Sequence, residues 1–267
     1  MQVELLAKLR SVNPVVMNIS NFVTVQDVAN GINAIGASPI MSEEIKEAAE
    51  MVQMSAAVVL NLGAFTDEAL GHIRQTGLLA NQLHKPLIVD PVAVGAVAYR
   101  KQTVADLFNV FHPDIIRGNA GEIAALADVA WQSKGVDAGE GHADPVAIVK
   151  KAAQKYQTII VMTGETDYIS DGKQVVTVEN NTPLFQLHVG SGDMLSSIIG
   201  AFAGVTSDYF EAAQTAAVVF AVAGEQVADQ LPTELPGTFA IKLLDQLHLV
   251  TPETVAAKGR IKQLEMD

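Results

Sequence analysis

The sequence predicts an α/β fold: a mostly parallel central sheet, flanked by helices on both faces, with a small antiparallel portion. Three observations predict it. Short apolar runs alternate with stretches of helical periodicity along most of the 267 residues. Several runs stop at a polar residue, as in Pro86-Leu87-Ile88-Val89-Asp90 and Asp114-Ile115-Ile116-Arg117, the pattern of strands whose C-terminal ends meet loops. Between Tyr168 and Leu187 the rhythm changes to two β-rich runs around Asp171-Gly172-Lys173, a hairpin signal. No repeat, charge block or boundary divides the chain, so residues 1–267 read as a single domain.

In order, a short amphipathic helix precedes the strand Pro14–Ile19. Ser20-Asn21 then lead to a helix with Val25, Val28, Ala29, Ile32 and Ile35 on one face, and Gly36 ends it in the position of a left-handed cap. Ala37–Met41 is a short extended piece, and Ser42-Glu43-Glu44 opens the next helix. Ala56–Leu60 is a buried strand followed by Asn61-Leu62-Gly63 and a helix from Thr66 to about Leu83. Pro86–Pro91 is the clearest strand-to-loop signal of the first half, and a helix starts at Tyr99-Arg100. Asp114–Asn119 repeats that pattern, with Glu122 on the helix that follows. Trp131–Asp144 is polar and glycine-rich, hence a long surface connection, and Thr158–Met162 is a further strand closing on Thr163-Gly164-Glu165. After the hairpin the chain is helical: Asp193–Gly204, Tyr209–Ala228 and Phe239–Leu247.

Composition excludes several classes. With no cysteine, disulfides, thiolate catalysis and cysteine metal sites are absent, which fits a cytoplasmic protein. A net charge of −13 and a pI near 4.8 argue against nucleic acid or an anionic membrane as partner. No apolar run reaches the roughly 18 residues of a spanning helix, and the N-terminus lacks the apolar block of a signal peptide. The histidines show no paired spacing suited to zinc.

The stretch Val189-Gly190-Ser191-Gly192-Asp193, leading into the apolar run Met194–Phe202, organises the functional reading. A glycine-bracketed loop opening a buried helix exposes backbone N–H groups without intrahelical partners, and with the helix dipole they suit a phosphate-like anion. Asp193 would stand at the mouth, ready to take a proton from an attacking hydroxyl. The alternative is structural: a tight turn whose helix is capped by Ser191 or Asp193. The loop is neither a P-loop nor a dinucleotide fingerprint. Because C-terminal strand ends share one rim, Asp90, Arg117, Asn119, Thr163 and the Gly190–Asp193 loop, each expected to follow a strand directly, converge there. Asp90 and Glu122 offer oxygen ligands for Mg²⁺, and Arg117 offers a forked donor for phosphate. Helix capping by Asp90 and surface ion pairing by Arg117 and Glu122 are the structural alternatives. A carboxylate about 4 Å from a phosphate charge costs roughly 4 kcal/mol at an effective dielectric near 20, whereas a helix dipole returns at most about 2 kcal/mol. An ionised Asp193 beside ATP therefore calls for a divalent metal.

These residues sit within a longer run of ordered blocks: Asn18-Ile19-Ser20-Asn21, Ala29-Asn30-Gly31, Gly36–Met41, Leu60–Gly63, Asp90-Pro91-Val92, Ile116–Glu122, Lys134–Gly139, Thr163-Gly164-Glu165 and the Gly190 loop. Over nearly its whole length the chain resembles the hydroxyethylthiazole kinase family of the ribokinase-like clan. The resemblance implies ATP-dependent phosphorylation of the primary alcohol of 4-methyl-5-(2-hydroxyethyl)thiazole, in thiamine biosynthesis or salvage. It implies that Asp193 is the catalytic base, that Met41 and Gly190, with Asn21 nearby, contact the thiazole, and that Arg117, Thr163 and Gly192 bind ATP. Asp90 and Glu122 would organise Mg²⁺, and the family's homotrimer places active sites between subunits. A packed core methionine is the other reading of Met41. Three departures stand out. Many relatives carry cysteine in place of Asp193, whereas the wider clan uses aspartate as base. Val189 replaces a frequent threonine, and Ala93-Val94-Gly95 replaces a smaller glycine-rich turn. Competing readings are a pyrimidine alcohol kinase, an ATP-dependent NAD(P)H-hydrate dehydratase, or a thiazole-binding relative without catalysis.

Overall fold

The computed structural model describes residues 2–134, 137–140 and 143–264. Its elements run α1 (Glu4–Val12), β1 (Val15–Ile19), α2 (Val25–Ile35), β2 (Ser38–Met41), α3 (Ala48–Met54), β3 (Ala57–Asn61), α4 (Asp67–Gln82), β4 (Leu87–Asp90), α5 (Ala98–Phe108), β5 (Ile115–Asn119) and α6 (Ala120–Leu126). They continue with β6 (Gln132–Lys134), β7 (Asp137–Glu140), α7 (Pro145–Tyr156), β8 (Ile159–Thr163), β9 (Asp167–Ser170), β10 (Val175–Val178), α8 (Ser191–Ala203), α9 (Tyr209–Ala228), α10 (Pro236–Leu249), α11 (Pro252–Lys258) and β11 (Ile261–Leu264).

Nine strands form one sheet in the order β11-β10-β9-β8-β5-β4-β3-β1-β2. From β2 to β8 every pairing is parallel, and β9, β10 and β11 extend that edge antiparallel. The expected fold class is therefore present, including its small antiparallel portion. Three features differ from the sequence reading. The connection after Trp131 contains an antiparallel pair, β6 with β7; Gly135 and Val136 of the quoted Lys134–Gly139 block lie outside the described residues. Short α11 and β11 follow the third helix of the C-terminal run. The third feature is the glycine loop: α8 begins only after residues 179–190, which include a 3₁₀ turn at Pro183–Phe185, so the loop does not follow a strand directly.

Side chains alternate across the pleat, as period-two geometry requires. Val16, Val59, Ile88, Ile115 and Val161 pack with α2, α8, α9 and α10, whereas Met17, Val58, Leu60, Val89 and Ile116 pack with α3 to α7. Both faces are covered, which is why the parallel strands read as continuous apolar runs. The chain passes from β1 outward to β2, then returns to β3 on the other side of β1. That reversal opens a crevice at the C-terminal ends of β1 and β3, where open α/β sheets take ligands.

α8 lies over this part of the sheet, on the face it shares with Val16, Val59 and Ile88. Eleven of its side chains and backbone positions are buried, from Ser191 to Ala203, and Phe202 is fully enclosed. Truncating such an aromatic costs about 3–5 kcal/mol. Phe202→Ala is expected to lower the unfolding free energy by that amount, read from the denaturant midpoint at unchanged m-value.

Candidate active site

One polar row crosses the sheet beneath the start of α8. Asn61, Asp90, Arg117 and Thr163 each stand two residues beyond Val59, Ile88, Ile115 and Val161, so alternation turns all four toward the α8 face. Asn18 on β1 is on the same face, where Ser197 of α8 donates to its Oδ1 at 2.8 Å.

The helix end above this row carries no side-chain cap. Gly190 holds the N-cap position at φ +96°, a left-handed conformation that suits glycine. A Cβ there would also stand 2.8 Å from Thr24 Cγ2. The Ser191 hydroxyl donates backward to His188 O at 2.9 Å, and the Ser191 N–H does the same at 3.2 Å. The capping alternative for Ser191 or Asp193 is thus not what the fold uses. The N–H groups of Gly192 and Asp193 lie in the first turn, where no intrahelical partner exists.

Asp193 is instead held from the side. Its Oδ2 accepts from Asn21 Nδ2 at 2.8 Å and from Thr24 Oγ1 at 2.6 Å, and its Oδ1 accepts from Asn61 Nδ2 at 3.0 Å. Asn61 is oriented in turn, because its Oδ1 accepts from Asn21 Nδ2 at 3.0 Å and from Gly63 N at 2.8 Å. These contacts fall at the β1/β3 reversal.

Beside them lies the charged half of the row. Asp90 is 1% exposed; its Oδ2 accepts from Ser196 Oγ at 2.7 Å and from Arg117 Nη1 at 3.3 Å. Arg117 Nη2 donates to Thr163 Oγ1 at 2.5 Å. Gly192 has to be glycine for this guanidinium to lie where it does, since a Cβ would come within 2.2 Å of Arg117 Nη1. Within this row, two buried atoms of opposite character find no hydrogen-bond partner among the described residues: Asp90 Oδ1 and Arg117 Nε. A buried orphan of either kind is costly unless a ligand or water meets it.

Glu122 is tied down more firmly. Its Oε2 accepts from Asn119 N at 2.8 Å, completing a capping box with the Asn119 side chain, and its Oε1 accepts from Ala93 N at 2.7 Å. Ala93 holds φ +61° to make that contact, a conformation costing an alanine about 1–2 kcal/mol. The departure from a glycine-rich turn thus falls where glycine would fit without strain. Among the described residues no group of three or more acidic or histidine side chains forms a metal cage.

Of the nine residues singled out from sequence, direct contacts link Asp90, Arg117, Thr163 and Gly192, and separately Asn21 with Asp193. Gly190 joins through Thr24, and Glu122 through the Ala93 and Asn119 amides. Met41 stands apart from these contacts: it ends β2, is half-buried against the α8-side core, and pairs in register with Asn18. Sequence reasoning did not single out Asn61, Thr24, Ser196 or Asp167. Asn61 had a signal, a polar residue ending an apolar strand, as Asp90 does.

Burial dominates the titration of the row. It pushes Asp90 up to about 6, against the opposing pull of Arg117 and with a further push from Asp193. Burial likewise raises Glu122 to about 7, aided by the charge of Asp90, and Asp167 to about 7. Burial also weighs on Arg117, but Asp90, Glu122, Asp193 and Asp167 more than offset it and raise its pKa. For Glu122 the folded state keeps a proton that the unfolded chain releases near 4.5. Stability therefore falls as pH rises from about 4.5 to about 7. Without nucleotide or metal, the unfolding free energy of the wild type should decline across this window more steeply than that of Glu122→Gln. Equal slopes in urea titrations would refute the assignment.

The comparisons with known proteins agree with this architecture. The sequence profile of the hydroxyethylthiazole kinase family matches residues 6–253. A hydroxyethylthiazole kinase of Levilactobacillus brevis is 60% identical over 257 residues, covering 96% of this chain and 98% of its own. The solved structure of a hydroxyethylthiazole kinase protein from Pyrococcus horikoshii superposes with a TM-score of 0.89 at 31% identity, covering 98% of each chain. A ribokinase-like superfamily protein of Enterococcus faecalis shares the fold alone, with a TM-score of 0.65 at 13% identity over 94% of this chain and 96% of its own. The chain belongs to the hydroxyethylthiazole kinase family, kinases that act on an alcohol, and has a ribokinase-like fold.

Proposed function

We propose that this protein transfers the γ-phosphoryl group of ATP to the primary alcohol of 4-methyl-5-(2-hydroxyethyl)thiazole, in thiamine biosynthesis or salvage. The observation that carries the reading is Asp193 at the uncapped start of α8, one residue after Gly192, against which the guanidinium of Arg117 lies. Asp193 takes the proton of the hydroxyl as its oxygen attacks the γ-phosphorus. The bond from that phosphorus to the bridging oxygen breaks, and ADP leaves with the electron pair. The Gly192 and Asp193 amides receive the charge that builds on the transferred group. Arg117, steadied by Thr163, binds phosphate oxygens, and Gly192 leaves room for its guanidinium. Met41 and Gly190, with Asn21 close by, form the thiazole side of the site.

Mg²⁺ fits the donor set present. Asp90 Oδ1 is buried, anionic and unpartnered, whereas Glu122 has each oxygen engaged by one amide and retains a lone pair on each for a bridging water. With so few protein ligands the ion would be held mainly by phosphates and waters, as Mg²⁺ usually is. When bound it neutralises the terminal phosphates.

The reading is tested by a coupled ADP assay with the thiazole alcohol, a hydroxymethylpyrimidine and hydrated NAD(P)H as competing substrates. Asp193→Asn should reduce turnover about 10²–10⁴-fold with ATP affinity retained. Turnover only with a non-thiazole substrate would overturn the proposal, as would thiazole binding without ADP release.

We further propose that residues 1–267 act as one domain and that the site is completed in a cytoplasmic homotrimer, with no nucleic acid or membrane partner. Among the described residues no helix is long and apolar enough to cross a membrane. An exposed apolar collar supports the assembly: Phe22 and Val23 follow Asn21, Leu187 and Val189 precede Gly190, and these side chains are 50–75% exposed. Exposed large apolar side chains grouped this way are what a subunit interface would cover. Light scattering should give three times the monomer mass, and Phe22→Asp should shift it toward monomer.

A further inference from the structure

Thr24 occupies the N-cap position of α2, where a threonine hydroxyl ordinarily accepts from an amide of its own helix. Here it makes no such bond. The residue is 2% exposed, and its Oγ1 donates across the crevice to Asp193 Oδ2 at 2.6 Å. The hydroxyl is thus placed for the aspartate and not for its helix. Thr24 is also wedged against Gly190, whose missing Cβ would lie 2.8 Å from Thr24 Cγ2.

An ionised carboxylate has about four lone-pair sites, two on each oxygen. On Asp193 Oδ2, Thr24 Oγ1 and Asn21 Nδ2 fill both. On Oδ1 only Asn61 Nδ2 donates among the described residues. The two amides cannot exchange these roles. Asn61 Oδ1 already accepts from Asn21 Nδ2 and Gly63 N, which leaves its NH₂ to face Asp193, while Asn21 Oδ1 accepts from Val23 N. Asp193 can neither rotate freely nor offer Oδ2 to an incoming hydroxyl.

We propose that Thr24 is a positioning residue for Asp193: its hydroxyl closes Oδ2, so that Oδ1 is the atom that takes the proton of the alcohol. The inference rests on the assignment of Asp193 as base and adds which oxygen acts and what selects it. In the transfer step the alcohol O–H bond breaks, its proton goes to the open lone pair of Oδ1, and Thr24 keeps its own proton throughout.

The test compares Thr24→Val, which keeps the shape without the hydroxyl, with Thr24→Ser, which keeps the hydroxyl. Thr24→Val should lower kcat about 10–100-fold, less than the roughly 10²–10⁴-fold expected for losing the base itself, with KM for ATP and thiazole alcohol within twofold of wild type and an unchanged melting temperature. Thr24→Ser should recover most of the rate. Should Thr24→Val fail to fold, Thr24→Ala serves as the hydroxyl-free variant. Wild-type kcat in the hydroxyl-free variant, a loss confined to KM, or a Thr24→Ser variant as impaired as the valine would each overturn the proposal. A readout independent of turnover separates this from the choice of substrate. In protein labelled with ¹³C-carboxyl aspartate, the signal that vanishes in Asp193→Asn should move in the hydroxyl-free variant and return in Thr24→Ser. An unmoved signal sinks the positioning role whichever alcohol is the substrate; an inactive wild type with the expected shifts sinks only the thiazole assignment.

Discussion

A helix that enters the core without a side-chain cap is the constraint to which the rest of this molecule answers. α8 is buried from Met194 onward, and its half-buried first-turn amides at Gly192 and Asp193 need an acceptor from outside the helix. The three polar side chains closest at hand are committed in other directions: Ser191 to the preceding turn, Asp193 to three donors, Thr24 to Asp193. A structural helix start would have used one of them. Open amides at a half-buried helix start are available to an anion, as the proposed function requires, and the glycines that flank Ser191 keep the approach clear.

The charges follow from the same geometry. Strand alternation puts Asp90 and Arg117 on one face under the helix, where water cannot screen them, and the burial cost is divided between an ion pair and a serine. Glu122 escapes part of it by capping its own helix. What remains is a cluster with more acid than base, in which burial, together with the mutual repulsion of the carboxylates, raises the pKa values of Asp90 and Glu122. On the proposed function, a nucleotide with its counter-ion would find these same groups complementary.

Much of this was legible in the sequence because the relevant rules are local. Asp90 and Thr163 end their strands and Arg117 stands two residues before the end of its own, so the polar residues advertise rim positions, and parallel topology makes those ends converge whatever the loops do. The Gly-Ser-Gly-Asp stretch announces a tight helix entry. The position of that loop was harder: a strand was expected just before it, but a 3₁₀ turn and a longer connection intervene. Thr24 was illegible because an N-cap threonine has an ordinary explanation that fits its sequence context, and only its partner 169 residues away reveals the other use. Asn61 could have been found by the logic applied to Asp90. Ser196 could not, since a serine inside an apolar helix has many reasons to be there.

The contacts around Asp193 have a consequence for how the molecule matures. Its three donors lie 172, 169 and 132 residues away along the chain, so none can be gathered by local folding. Helices and individual βα units can assemble while this constellation is still scattered. With Asp193 in its proposed role, turnover would require the native long-range topology and not helical content alone.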